Sequence, residues 1–157
     1  MQRILISAVL VGVLTATVIA VTASAQPDRH GPGRSHGRVI TVVEHAASDA
    51  TTDTGVPGDS AGDLLTFANE VFDAADQRRV GSDQGSCIRI KPGVSYECAW
   101  TTFLPGGQIT VEGPFFDASD SVLAITGGTG RFATARGFMR LHAIENGTKF
   151  IFEFHLR

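Results

Sequence analysis

The side chains able to do chemistry in this 157-residue chain are few and scattered. Glu44 closes the β-branched run Val39-Ile-Thr-Val-Val. It shares parity with Ile40 and Val42, so a strand that reaches it turns its carboxylate inward with them. A strand that stops short leaves it solvated in the loop. A buried carboxylate is costly unless it is paired or used. Facing a bound molecule, it would act as an acid or stabilise developing positive charge. Asn69 has the parity of Leu65, Phe67 and Val71, which suits an interior amide holding a water and equally suits a backbone cap beside a bulge. His142 and His155 fall on strands and read as satisfied or edge histidines rather than general bases. His30 and His36 have a metal-tract composition, but no cysteine or carboxylate constellation accompanies them, so no metal is expected.

A second candidate for chemistry is "VLAITGGTGRFATARG", Val122 to Gly137, where an apolar run feeds a glycine cluster. A dinucleotide cradle requires a helix starting at the loop, a second parallel strand and an acid about 20 positions on. Only Arg131 to Arg136 separates Gly130 from Gly137, too short for a crossover helix, and Glu145 and Glu153 stand in the wrong places for the acid. No cofactor is expected. The glycines read instead as a tight, bulged connection between strands, where positive φ is needed.

The elements that position these residues begin after a leader. Met1-Gln2-Arg3, the apolar run Ile4 to Val21 and Ala23-Ser24-Ala25 have the three-part layout of a secretory signal peptide spanning 1–25, with cleavage after Ala25. An uncleaved anchor is the alternative, since the run is near the roughly 17-residue lower limit for a span. Residues 26–38 are rich in Gly, Pro, His and Arg and form a flexible lead-in. The remainder, 39–157, suffices for one domain with one core. A secreted or extracytoplasmic location is expected, with no membrane association after cleavage. A net charge of -3 and the lack of a basic stripe argue against a nucleic-acid partner.

The folded part reads as all-β. Val39 to Glu44 is a strand, 46–61 a long Ser/Thr/Asp/Gly/Pro loop, and "DLLTFANEVFD" (Asp63 to Asp73) one strand. Ser86 to Lys91 alternates up to Pro92-Gly93, and Tyr96, Cys98, Trp100 and Thr102 alternate up to the next turn, after which "QITVEG" returns. Asn146-Gly147 between two alternating runs is a hairpin signal, and Phe150, Phe152, Phe154 and Leu156 share a face. Asn146-Gly147-Thr148 also matches a glycosylation sequon, but the turn explains its Asn-Gly. Cys98 lies across a predicted hairpin from Cys87, and in an exported chain that arrangement favours a disulfide. Closing so short a loop contributes roughly 2–3 kcal/mol.

"GGTGRFATARG" resembles a stretch of plant dirigent proteins, and "GQITVEGPFFDASDSVLAITGGTG" is similar to a region of allene oxide cyclases. "GDLLTFANEVFDAADQRRVGSDQGSC" also resembles the cyclases. The resemblance implies an eight-stranded antiparallel β-barrel with a mostly apolar interior. It also implies cofactor-free steering of a small hydrophobic molecule into one cyclisation or isomerisation, and commonly a homo-oligomer, dimer or trimer. Phe67, Asn69 and Cys87 fall on cyclase pocket positions, the last as a free thiol, in competition with the disulfide. Glu44 corresponds to the carboxylate that stabilises positive charge and Phe115 to a pocket tyrosine. The cyclase asparagine two positions after the carboxylate corresponds to Ala46. Glu44 and Asn69 are the expected catalytic contacts; Phe67, Cys87 and Phe115 are the expected pocket. A non-catalytic binder or a structural envelope protein on the same barrel is the alternative.

Overall fold

The computed structural model describes residues 37–157. The expected signal peptide, most of the lead-in, and His30 and His36 lie outside the described residues. The chain forms ten strands: β1 (Arg38–His45), β2 (Ala50–Thr52), β3 (Leu64–Phe67), β4 (Glu70–Asp73) and β5 (Arg79–Lys91), then β6 (Ser95–Leu104), β7 (Gly107–Phe116), β8 (Ser121–Gly130), β9 (Gly137–Ile144) and β10 (Lys149–Leu156). Their hydrogen-bonded order is β2-β3-β5-β4-β1-β10-β9-β8-β7-β6, and β6 pairs back onto β5. That last pairing closes the sheet. The short β3 and β4 both pair with the long β5 and together act as one staple-like strand. The result is a closed antiparallel barrel of eight strands, which leaves no free edge apart from the appended β2.

Alternation decides what faces inward. Phe150, Phe152, Phe154 and Leu156 of β10 point into the core, as do Tyr96, Cys98, Trp100 and Thr102 of β6. These bulky groups fill a small barrel, whose bore is only wide enough for side chains and one small ligand.

Three local expectations need correction. The segment Asp63 to Asp73 is not one regular strand: it breaks at Ala68-Asn69, where Asn69 exchanges backbone hydrogen bonds with Asp83 of β5 at 3.1 and 2.9 Å. The 46–61 loop contains β2, which pairs with β3. The Asn146-Gly147 turn is wider than a two-residue hairpin, because the last ladder pair is Ile144 with Lys149 and Glu145, Asn146 and Gly147 all have positive φ.

The glycine cluster is strand and turn, as the missing helix required. Gly127, Gly128 and Gly130 lie on β8, and the β7–β8 register slips at Thr110/Val111, a bulge. Gly130 has φ +58, and a Cβ there would stand 2.2 Å from the Gly106 carbonyl oxygen. The following turn buries Phe132 against the core at the barrel's second end.

Candidate functional site

The first end of the barrel is built from segment 46–63, the β5–β6 turn, the 117–120 loop and the β9–β10 turn. Backbone bonds stitch these together: Ala46 N–H donates to Thr148, Gly62 to Arg89, and Asp117 to Val94. Beneath them lies a chamber of about 160 Å³. Its walls are Leu65, Phe67, Trp100, Phe115, Phe150 and Phe152, together with Cys87 and Cys98, and its polar wall is Glu44 and Asp49. The rings pack edge to face: Phe67 on Trp100 at 6.0 Å between centroids and Phe115 on Phe150 at 5.9 Å. Phe115 and Phe150 also border a wider outer crevice between the 117–120 loop and the β9–β10 turn.

Glu44 is inside because β1 runs on to His45, so the alternation that buries Val42 buries Glu44 as well, at 5% exposure. The solvated-loop alternative is thereby closed. Asn69 Nδ2 donates to Glu44 Oε1 at 2.7 Å and to Asp49 Oδ1 at 2.8 Å. Its Oδ1 accepts from the backbone N–H of Ala47 and Ser48 and from Ser48 Oγ, at 2.9–3.1 Å. Every hydrogen-bonding group of this amide is thus committed to protein. The structure supports the cap reading of Asn69 and not the water-holding one: it stands behind the chamber wall and fixes where Glu44 points. Burial pushes the Glu44 carboxyl up to about 8, and the neighbouring charges of Asp83 and Asp49 push the same way against the Asn69 hydrogen bond. The surroundings of Glu44 therefore favour its neutral form, the form that can donate a proton.

Cys87 and Cys98 face one another across the β5–β6 ladder and form a disulfide, with Cα atoms 4.0 Å apart. The free-thiol alternative for Cys87 is excluded, although both sulfurs still belong to the chamber wall. Inward parity of Cys87 also brings Arg89 inward. The guanidinium lies over the Tyr96 ring at 3.6 Å, with Nη1 2.7 and 2.9 Å from the two Asp117 oxygens and Nε 2.7 Å from Asp59. Burial works against its charge, but the Asp117 hydrogen bonds and the facing carboxylates outweigh that and hold it protonated. Arg89 is a clamp that ties segment 46–63 to the barrel. Phe67 and Phe115 stand in the chamber wall. His142 pairs with Asp120 on the exterior and His155 stacks on Phe138, so neither reaches the chamber.

Asp49 and Asp83 had no local signal. Asp49 sits in a polar loop, and Asp83 precedes the run that alternates visibly. Extending the parity of Cys87 back through Gly85 would have turned Asp83 inward.

The sequence model of allene oxide cyclases matches residues 41–157, essentially the whole barrel. The chain belongs to the allene oxide cyclase family. Among solved structures, this allene oxide cyclase-family barrel is similar to a pyocyanin demethylase, at 26% identity and TM-score 0.66, covering 76% of this chain and 100% of that one. A pterocarpan synthase dirigent protein matches at 17% identity and TM-score 0.59, over 78% and 97% of the two chains. The Diels–Alderase AbmU from Streptomyces koyangensis matches at 17% identity and TM-score 0.62, over 76% and 63%. The last two likenesses show the fold alone. Among the described residues no cluster of metal-ligating side chains occurs.

Proposed function

We propose that this barrel binds a small hydrophobic, ring-bearing molecule in its chamber and steers a cofactor-free isomerisation or cyclisation, with Glu44 as the acid. One observation carries the reading: a neutral carboxyl, held by Asn69, stands in the wall of a cavity otherwise made of aromatic and aliphatic groups and a disulfide. A cavity of about 160 Å³ matches the order of size that accepts a single benzene-like ring in an apolar core. Larger ligands would extend past Phe115 and Phe150 into the outer crevice.

The chemistry follows from the surroundings. The aromatic walls restrict the ligand to few conformations, which converts a floppy chain or ring into a preorganised reactant. The Glu44 O–H then gives its proton to an oxygen or nitrogen of the ligand and keeps the bonding pair. A second proton then passes from another atom of the ligand to the Glu44 carboxylate so formed, which restores the acid and leaves a product with the atoms of the substrate. Positive charge that develops meanwhile lies beside the Glu44 and Asp49 carboxyls, where low dielectric strengthens the attraction. The mechanism needs no redox partner. The likeness to a pyocyanin demethylase supports an aromatic or polycyclic ligand. The disulfide fits work in an oxidising, extracytoplasmic compartment.

The test is native mass spectrometry of the purified protein with lipid and phenolic extracts, followed by product analysis. The expected result is retention of one hydrophobic species and its conversion to an isomer of equal mass, with Glu44→Gln retaining the species unchanged. Retention with no conversion by either protein would favour the non-catalytic binder; that reading has support in the engagement of Glu44 by Asn69. An extract from which nothing binds would overturn both.

A further inference from the structure

One buried ionisable group has no part in the mechanism above. Asp83, on β5, is 2% exposed and does not touch the chamber. Its backbone exchanges hydrogen bonds with Asn69, and its Oδ1 accepts from the Asn69 N–H at 3.3 Å. The same asparagine holds Glu44. The Glu44 and Asp83 carboxyls lie close enough to influence each other's charge, yet Asp83 Oδ2 finds no donor among the described residues. Two carboxylates in contact inside a barrel wall repel; a carboxyl and a carboxylate in the same place form a strong hydrogen bond. The orphaned oxygen and the contact are both satisfied by a single proton shared between the two residues.

We propose that Asp83 is the positioning residue that keeps a proton on Glu44, the two side chains acting as one proton-holding pair behind the chamber wall. The inference rests on the proposed function only in calling Glu44 the acid. The division of labour follows from the surroundings. Glu44 reaches the chamber, and Asp83 does not. Burial raises both carboxyls, but the Asn69 backbone N–H and the facing Glu44 carboxyl favour charge on Asp83, whereas the charges of Asp83 and Asp49 disfavour charge on Glu44. A proton shared by the pair is therefore within reach of a ligand through Glu44. Delivering it leaves adjacent negative charges, so Glu44 recovers a proton readily, from the ligand or from water, and the pair is reset without any other reagent.

The groups facing Glu44 are few. Asp49 comes from the segment after β1, Asp83 from β5, and the Asn69 amide from the β3–β4 break, while Phe150 and Val71 are its ladder partners on β10 and β4. Thr102 lies directly opposite Asp83 on β6, and its buried hydroxyl makes no hydrogen bond to this carboxylate. Among the described residues no lysine, arginine or histidine pairs with Glu44, Asp49 or Asp83. No cation competes for the role assigned to the shared proton.

The experiment needs no ligand, so its outcome is independent of whether the binding reading holds. Side-chain carboxyl carbons are followed by NMR across pH in protein labelled at Asp and Glu. In the unaltered protein, the Glu44 and Asp83 resonances should each respond to the same two steps, the behaviour of a coupled pair. In Asp83→Asn, whose amide oxygen still accepts from Asn69, Glu44 should titrate in one step, its midpoint lower by about one unit or more. A Glu44 midpoint unmoved by Asp83→Asn would overturn the proposal. So would an Asp83 resonance in the unaltered protein that ignores the Glu44 step, a result available even if the variant does not fold.

Discussion

Asn69 spans 25 positions of sequence to place one amide hydrogen 2.7 Å from Glu44 Oε1, and its other amide hydrogen lies 2.8 Å from Asp49 Oδ1. A single side chain thereby orients the acid and binds the segment that roofs it. Asn69→Ala should lower turnover of a bound ligand by about tenfold or more, as expected when an interaction worth more than 1.4 kcal/mol orients an acid. It should also destabilise the fold by about 1–3 kcal/mol, through buried partners left unsatisfied. Asn69→Asp, which removes the donors but keeps the shape, should affect the acid at least as strongly. Ligand binding measured beside turnover separates lost orientation from a lost pocket.

Stability should peak in mildly acidic solution. The pKa values of Glu44 and Asp83 are raised from 4.5 and 3.8 to about 8 and about 7. Between the ordinary and the raised values the folded protein holds protons that the unfolded chain has released. Their contribution is complete below the ordinary range and is lost as pH climbs through 8. Asp73 and Asp76 act in the opposite sense. Hydrogen bonds from the Gln77 N–H, and from Lys149 and His45, hold their carboxyls low, so their contribution fades as pH falls through 3.8. Thermal melts should show Tm falling from pH 5 to 8, and Glu44→Gln should flatten that limb. A Tm that rises steadily across this range would contradict the buried neutral acid.

Replacing both cysteines by serine should cost about 2–3 kcal/mol, the entropy of the short loop that the Cys87–Cys98 bridge closes. Because both sulfurs stand in the chamber wall, ligand affinity should fall as well. Chemical denaturation of the oxidised protein and the double variant measures the first effect, and ligand retention measures the second.

Arg89→Met keeps the aliphatic stem but leaves Asp59 and Asp117 without their cation. Both carboxylates are partly exposed, so the loss should be about 2–3 kcal/mol, below the roughly 3–5 of a fully buried pair. The consequence is local. Amide exchange should quicken across segment 53–63, which the clamp holds down, and stay unchanged at the barrel's second end.

Gly128→Ala should be among the more damaging single changes. A Cβ there would lie 2.4 Å from the Gln108 carbonyl oxygen and 2.5 Å from that of Phe132, both backbone atoms that cannot swing aside. A loss of about 1–3 kcal/mol is expected from such overpacking, read as a drop in Tm without loss of the β-rich spectrum.

Much of this was legible in the chain itself, because strand alternation is a local property of the backbone. The parity of Ile40, Val42 and Glu44, of Leu65, Phe67 and Asn69, and of Phe150, Phe152 and Phe154 follows from a period of two, whatever the rest of the molecule does. An all-β barrel or sandwich follows as well, since repeated half-apolar strands with no helices must bury their faces against one another; the choice of the barrel came from the resemblance to allene oxide cyclases and dirigent proteins. What alternation cannot convey is where a strand ends and which strand lies beside it. Whether Glu44 was wall or loop depended on one further residue of β1. Whether Cys87 was thiol or disulfide depended on the β5–β6 register. Asp83 and Asp49 stand far from Glu44 along the chain, and only closure of the barrel brings all three carboxyls around one amide. Closure also excludes the water that would otherwise keep Glu44 and Asp83 ionised. The acid of this site is therefore a property of the tertiary structure; the sequence alone determined which face of each strand could carry it.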